Sequence, residues 1–177
     1  MIPHDITSPR LTLTAIDERH VGQRYLAWMT NPAVVEFTES RFSSPTIDDL
    51  RSFVAGSRAS TDSYMFAIEI TETGDHVGNI KLGPVNSHHK RGAIGIILGE
   101  QSAWGRGIAT EAVTALSSWA FDELGIEKLI AGIYAANLGS VRAFEKAGFA
   151  VEGRQVDEVI LADGTRGDAL ILGRLSR

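Results

Sequence analysis

Apolar and polar side chains repeat with two different periods in the first third of the chain. Residues 10–15 alternate polar and apolar side chains, which is typical of a strand with one buried face. Residues 17–29 instead carry apolar side chains at helical spacing behind a capping aspartate, and Asn31-Pro32 is expected to end this helix. A polar, irregular stretch over 36–45 separates it from a second helix, for which Thr46 is a good cap. The pattern therefore predicts one strand followed by two helices.

The rest of the chain predicts a hairpin of two strands, a strand that is apolar almost throughout, a long helix, a further strand, a short helix and two final strands. Their ranges are 64–71, 76–85, 93–98, 107–124, 128–134, 140–147 and 149 onward. A strand without polar positions is expected at the centre of a sheet. The order predicts an α+β (mixed α/β) fold, with one domain over residues 1–177 and a twisted mixed sheet of about seven strands with about four helices.

The composition excludes several classes of protein. The 177 residues suffice for one domain with a sizeable core. The absence of cysteine excludes disulfides, thiolate metal ligands and a cysteine nucleophile, and no metal site is predicted. The net charge of −5, without basic clusters, argues against a nucleic-acid partner. No apolar run is long enough to span a membrane and the start shows no signal peptide, so we expect a cytoplasmic protein without a membrane partner.

A glycine-rich turn joins the apolar central strand to the long helix. Gly105 and Gly107 bracket Arg106, and Thr110 falls in the first helical turn. Free backbone N–H groups and the helix dipole favour an anion here, glycine lets a pyrophosphate approach the backbone, and an arginine fork can add a contact. Taken alone, the spacing fits an ordinary turn equally well. It lacks the third glycine of a dinucleotide fingerprint and the Gly-Lys-Ser/Thr of a nucleotide triphosphatase loop.

A second motif follows the next strand, with the sequence Asn-Leu-Gly-Ser-Val-Arg-Ala-Phe-Glu-Lys-Ala-Gly-Phe over residues 137–149. Together with Trp-Gly-Arg-Gly-Ile-Ala-Thr-Glu-Ala over 104–112, it resembles the GNAT acetyltransferase superfamily, and within it the RimJ/RimL type. That type includes ribosomal-protein N-terminal acetyltransferases and amino-sugar acetyltransferases. The resemblance runs from about Arg10 to Leu175. It implies acetyl-CoA as co-substrate and central strands that splay around the acyl-CoA arm.

The resemblance implies cofactor contacts residue by residue. Backbone groups of the central strand are expected beside the pantetheine arm, and backbone N–H groups from Arg106 to Thr110 are expected to hold the phosphates. Trp104 replaces the family's Gln or Arg, which removes a side-chain phosphate contact. Asn137 matches the family asparagine on the pantetheine side, although it could also be a turn asparagine. The implied cofactor residues are Ile96, Ile97, Leu98, Trp104, Gly105, Arg106, Gly107, Ile108, Ala109, Thr110, Asn137, Ser140 and Phe144.

Acyl transfer to an amine needs a polarised thioester carbonyl, a neutral amine and a leaving thiolate. A backbone N–H near Ile97 or Leu98 is a candidate oxyanion donor. Glu100, at the end of the central strand, is the first candidate for the general base, and its alternative is a solvated strand-end carboxylate. The candidate acceptor residues are Glu36, Glu39, Arg41 and Phe42 in the irregular stretch, and His88 in the loop before the central strand.

The protonation of the leaving thiolate is the weakest part of the resemblance. Many members of the superfamily carry a tyrosine acid seven residues after the asparagine, and that position here is Phe144. The tyrosine role therefore cannot be carried over. Ser140 is a candidate donor near the sulfur, although its first expected role is to cap the short helix. Glu111 is interpreted as a carboxylate favoured by the dipole of the long helix.

The sequence predicts an acetyl-CoA-dependent N-acetyltransferase that works by direct attack in a ternary complex. The predicted acceptor is a small amine, such as a nucleotide-linked amino sugar, or a protein N-terminus, and the chain is expected to be a monomer or homodimer. One alternative is a CoA-binding module or sensor without catalysis, which the missing tyrosine permits. Another is an antibiotic- or polyamine-modifying enzyme, which ranks lower because the sequence has no dense acidic cluster.

Overall fold

One mixed sheet of eight strands organises residues 4–176, which are the residues that the computed structural model describes. The strands are β1 (Ile6–Thr7), β2 (Leu11–Ala15), β3 (Tyr64–Ile70), β4 (His76–Asn86), β5 (Arg91–Leu98), β6 (Lys128–Tyr134), β7 (Ala150–Ile160) and β8 (Arg166–Leu175). Their order across the sheet is β1-β2-β3-β4-β5-β6-β8-β7. In this sheet β5 and β6 run parallel, and the other neighbouring pairs are antiparallel.

Within residues 4–176, five α-helices cover the two faces of the sheet. They are α1 (Gln23–Met29), α2 (Pro32–Val35), α3 (Ile47–Ala59), α4 (Ile108–Asp122) and α5 (Leu138–Lys146). The last two pack with the sheet into the larger core, whereas the first three form a second core on the opposite face. Ile96 and Leu98 pack against the larger core and Ile97 against the second, as the alternation of side chains along a strand requires. The central strand β5 is therefore covered on both faces.

The predicted fold class is confirmed, with two differences in the number of elements. The sheet has eight strands because Ile6–Thr7 pairs with the second strand, and two residues are too few to show an alternating pattern. A fifth helix, α2, begins at the proline that was expected only to end a helix. The Asn31 side chain accepts a hydrogen bond from the Ala33 N–H, and proline suits the first helical position, so Asn31-Pro32 also starts a turn.

The helix predicted over 17–29 is instead a 3-10 turn followed by α1. The Asp17 side chain accepts a hydrogen bond from the Arg19 N–H, while the His20 ring accepts one from the Asp17 N–H. These two bonds close the turn after three residues. Gly22, with an extended φ of −173°, then becomes the cap of α1. The expected Thr46 cap is confirmed, since its side chain accepts a hydrogen bond from the Asp49 N–H.

Candidate active site

The sheet opens between β5 and β6. Their parallel pairing ends at Ala93 and Ile130, although β5 continues to Leu98 and β6 to Tyr134. Beyond that point β5 remains paired with β4 and β6 remains paired with β8, so the two strands diverge. The edge of β5 after Ala93 consequently faces a gap instead of a strand. The predicted splay of the central strands is confirmed.

A cleft of about 600 Å³ occupies this gap. Eleven predicted site residues line it, namely Glu36, Glu39, Ile96, Ile97, Leu98, Trp104, Gly105, Ala109, Asn137, Ser140 and Phe144. Residues from the irregular stretch, more than 50 positions away in the chain, thus meet the central strand and the short helix. The other predicted residues lie outside the lining, and they are Arg41, Phe42, His88, Glu100, Arg106, Gly107, Ile108 and Thr110.

The glycine-rich turn flanks one end of the cleft. Gly105 and Gly107 have φ angles of +70° and +78°, which glycine adopts without strain. Gly107 is the cap of α4 and makes no side-chain capping bond, so the first N–H groups of the helix stay available to an anion. The side chain of Ile108 is buried in the core, and that residue can therefore offer a ligand only its backbone. This end of the cleft suits a phosphate group.

Trp104 fastens the turn to the strand before it. Its indole Nε1–H donates a hydrogen bond of 2.9 Å to the carbonyl of Leu98, the last residue of β5. The side chain that replaces the family's phosphate-binding Gln or Arg therefore has a structural contact in this protein.

An ion pair anchors the outer side of the same turn. The Arg10 Nη1–H donates to the Arg106 carbonyl over 3.0 Å, and the Arg10 Nε–H donates to Glu111 over 2.7 Å. Partial burial opposes ionisation of Glu111, but hydrogen bonds from the Arg10 N–H, Ser8 and the Arg10 guanidinium outweigh it and lower the pKa of this carboxyl group. Glu111 is thus more than a carboxylate at a helix start: it connects β2 to the turn through Arg10. Neither contact was predicted from the sequence.

The segment after β6 differs from its prediction at the helix cap. The short helix begins at Leu138, and Asn137 caps it, because its Oδ1 accepts a hydrogen bond of 3.1 Å from the Ser140 N–H. The expectation that Ser140 caps this helix was wrong, since Ser140 lies within the first turn. Asn137 and Ser140 both line the cleft. Phe144 also lines it but is almost fully buried and packs edge-on against Phe149, with ring centres 5.1 Å apart.

The opposite end of the cleft carries a pair that the sequence did not reveal. The Tyr134 hydroxyl donates a hydrogen bond of 2.8 Å to Glu39 Oε1, and both residues line the cleft. The ring of Phe37 contacts Tyr134 edge-on, with centres 6.1 Å apart. Burial and the Glu39 carboxylate raise the pKa of Tyr134, while the charge of Arg41 acts in the other direction. The sequence contains one indication that Tyr134 belongs to the site: it ends the predicted strand three residues before Asn137.

Glu100 lies outside the cleft lining and contacts α1. The Trp28 Nε1–H donates a hydrogen bond of 3.0 Å to Glu100 Oε1, and the Arg24 Nε lies 3.9 Å from the same oxygen. The Gly99 and Glu100 N–H groups both donate to the Val77 carbonyl, which turns the chain at the end of β5. This turn directs the carboxylate towards α1. The geometry therefore does not favour Glu100 as the base.

Three candidate acceptor residues also lie outside the lining. Arg41 donates to the carbonyl of Ile160 at the end of β7, and its guanidinium lies over the ring of the exposed Phe42. These contacts hold both side chains beside the cleft, outside its lining. His88 is exposed in the turn between β4 and β5, at the end of β5 where pairing with β6 is intact. His88 therefore lies away from the cleft, which opens at the other end of that strand.

Neither a metal site nor a membrane-spanning helix occurs among the residues that the structure describes. No group of three or more His, Asp or Glu side chains there is arranged to hold a metal ion. Within the same range, no helix is both long enough and apolar enough to cross a membrane.

Comparison with known proteins assigns the chain to a family. Residues 10–150 match the profile of the acetyltransferase (GNAT) domain, and the chain belongs to this family. The predicted superfamily is confirmed. The spermidine N-acetyltransferase from Vibrio cholerae, solved in complex with CoA and spermine, shares the fold with a TM-score of 0.83 and 20% identity, over 95% of this chain and 96% of that one. An acetyltransferase (GNAT family) from Bacillus anthracis has a TM-score of 0.83 at 20% identity, covering 97% and 98% of the two chains.

Several curated relatives are named as N-acetyltransferases. The probable N-acetyltransferase YjcK of Bacillus subtilis (strain 168) is 51% identical over 49 residues, which are 28% of this chain and 27% of that protein. The uncharacterized N-acetyltransferase p20 of Bacillus licheniformis is 30% identical over 88 residues, 50% of this chain and 49% of the relative. The human alpha/beta-tubulin-N-acetyltransferase 9 is 26% identical over 151 residues, 79% and 72% of the two chains. The chain thus spans about a quarter to a half of the two Bacillus relatives.

Proposed function

We propose that this protein transfers an acetyl group from acetyl-CoA to a primary amine, by direct attack in a ternary complex. One observation carries the proposal: the gap between β5 and β6 runs from a helix N-terminus without a side-chain capping bond to a stretch that bears Glu36 and Glu39. The first end suits the phosphates of CoA, and the carboxylates at the second end suit a cationic amine. Membership of the GNAT family supports this assignment of the two ends.

The unpaired edge of β5 supplies the remaining chemistry in this proposal. The pantetheine arm lies along this edge, with Asn137 on its other side, and brings the thioester beside Ile97 and Leu98. A backbone N–H there polarises the carbonyl as negative charge develops on its oxygen. Holding both reactants in one cleft replaces a bimolecular encounter and lowers the entropic cost of the reaction.

The acceptor is proposed to be a small amine, such as a nucleotide-linked amino sugar, or a protein N-terminal α-amine. Two separate carboxylates in the cleft suit an amine with one positive charge better than a polyamine, whose several charges call for a denser acidic surface. The relatives differ in their named acceptors, spermidine in one and tubulin in another, so the family alone does not select one. The RimJ/RimL type, a cytoplasmic location and a monomeric or homodimeric state belong to the same proposal.

Acetyl-CoA-dependent thiol release tests the proposal. The purified protein is first heated with and without acetyl-CoA, and a raised unfolding midpoint is expected, since a ligand that binds only the folded state stabilises it. Thiol release is then followed with an amino-sugar nucleotide, a peptide with a free N-terminus and spermidine, and initial-rate patterns with both substrates varied should show a ternary complex. Binding without thiol release from any amine would instead establish a CoA-binding module. No shift of the midpoint would contradict both functions.

A further inference from the structure

The cleft lacks the proton donor that many GNAT enzymes place at the position of Phe144. Phe144 is almost fully buried against Phe149 and has no group that could protonate a thiolate. The chain has three tyrosines, and two of them are occupied elsewhere. Tyr25, on α1, is buried in the second core, and Tyr64 packs edge-on against Trp119 in the larger core. Tyr134 is the tyrosine that lines the cleft.

The strand positions Tyr134 towards the acceptor side of the gap. Ile133, its neighbour on β6, is buried in the larger core, so alternation directs Tyr134 to the opposite face. The side chain of Ile97 on β5 points to that same face. The hydroxyl of Tyr134 then reaches Glu39 over 2.8 Å, and the Phe37 ring holds the phenol from the side. Within residues 4–176, Glu39 Oε2 has no hydrogen-bond partner and remains open to a ligand.

The charges around Tyr134 keep its phenol protonated. Burial is the largest cause of its raised pKa, the Glu39 carboxylate adds to it, and Arg41 opposes it from the same stretch. Glu36 is the other carboxylate that lines the cleft. A phenol of this kind is a weaker acid than a thiol, whose pKa is about 8.5, so Tyr134 alone would give up its proton to a thiolate unfavourably. A protonated carboxyl group has a much lower pKa than a thiol. With such a group next to Tyr134, proton transfer from the pair to the thiolate becomes favourable.

We propose that Tyr134 and Glu39 form a proton relay that carries a proton from the attacking amine to the departing thiolate of CoA. This inference rests on the proposed function. The neutral amine forms a bond to the thioester carbon, and its excess proton passes to Glu39 Oε2. The carbon–sulfur bond breaks as the Tyr134 hydroxyl gives its proton to the sulfur. The carboxyl group of Glu39 then rotates, so that Oε2 returns the amine proton to the Tyr134 oxygen. Both side chains end as they began, and the products are an amide and the CoA thiol.

Removing the hydroxyl tests the relay directly. In Tyr134→Phe, kcat for thiol release is expected to fall on the order of 100-fold, which is the usual contribution of a positioned acid or base. The dissociation constant of CoA should change less than twofold, because the cofactor contacts the backbone of β5 and the turn. Tyr64→Phe is the matched control, since Tyr64 loses the same atom at a distance from the cleft, and its kcat should equal that of the wild type. An unchanged kcat in Tyr134→Phe would overturn the relay.

A double-variant cycle tests whether the two residues act as one unit. Glu39→Gln should lower kcat by a similar factor, and Tyr134→Phe/Glu39→Gln should fall no further than the slower single variant, because groups in one relay are strongly non-additive. Losses that multiply would show two independent roles and would contradict the relay. If the wild type turns over and kcat of Tyr134→Phe is unchanged, only the relay is contradicted and the proposed function stands. Absence of wild-type turnover with any amine would remove the proposed function and the relay together.

Discussion

The two ends of the cleft differ in the groups that they offer to a ligand. The turn over 104–110 offers backbone groups, and its side chains mainly hold the turn in place: Trp104 ties it to β5, and Arg10 ties it to β2 and Glu111. The acceptor end offers side chains, with Glu39 and Tyr134 in direct contact. A backbone site depends on the local conformation of a few residues, whereas a side-chain site depends on which distant elements meet. Substitutions at the turn should therefore change the affinity for CoA, whereas substitutions at the acceptor end should change kcat or KM for the amine.

The largest effect is expected where the backbone site is blocked. Gly107→Asp places a carboxylate next to the helix N-terminus and a side chain at a φ of +78°, and should weaken binding of acetyl-CoA on the order of 100-fold through repulsion of the phosphates. Gly74→Asp is the matched control, because Gly74 has a φ of +73° in the exposed turn between β3 and β4. Calorimetric titration should find the control unchanged in affinity, although both variants lose stability. Equal weakening in both would show that the effect is only conformational.

A smaller effect is expected when the turn loses its anchor. Arg10→Ala removes the bonds to the Arg106 carbonyl and to Glu111, and should weaken CoA about tenfold, equivalent to about 1.4 kcal/mol. The value of kcat at saturating acetyl-CoA should stay within twofold. Lys90→Ala serves as the control, since Lys90 pairs with Glu127 on the exposed surface. A loss of kcat with unaltered affinity would contradict the anchoring role.

A still smaller effect is expected from replacing Glu36, the carboxylate at the acceptor end that does not contact Tyr134. Glu36→Gln should raise KM for the amine about threefold to tenfold, as expected for one exposed charge contact, and leave the CoA affinity alone. Glu72→Gln, in the exposed turn after β3, should change neither quantity. A shift in CoA affinity in Glu36→Gln would show that the two ends are not separate.

The smallest effect concerns the pH dependence of stability. The folded-state pKa of Glu111 is lowered, so its ionised form contributes stability that is present above the ordinary value of 4.5 and lost as pH falls through the folded value. Urea unfolding should find wild type more stable than Glu111→Gln at neutral pH, with the difference shrinking below pH 4.5. A difference that grew towards acid pH would contradict the assigned ion pair.

The same contrast explains what could be predicted from the sequence. The turn and the Asn137 segment are local motifs, so their residues, the splay and the family followed from short stretches of sequence. The Tyr134–Glu39 pair spans 95 positions and the Arg10–Glu111 pair spans 101, and only the sheet order brings them together. The sequence also could not place His88 and Glu100 relative to the cleft, because it does not show at which end two strands diverge or which way a strand end turns.

Residue-resolved hydrogen exchange with and without acetyl-CoA tests whether the cofactor lies along the open edge of β5 and meets the turn with backbone groups. Binding should slow exchange of the β5 amides that face β6 within 94–98, and of the amides from 106 to 110. Amides of the exposed edge strand β7 should not change. Protection confined to other parts of the chain, or binding without protection along β5, would contradict the account.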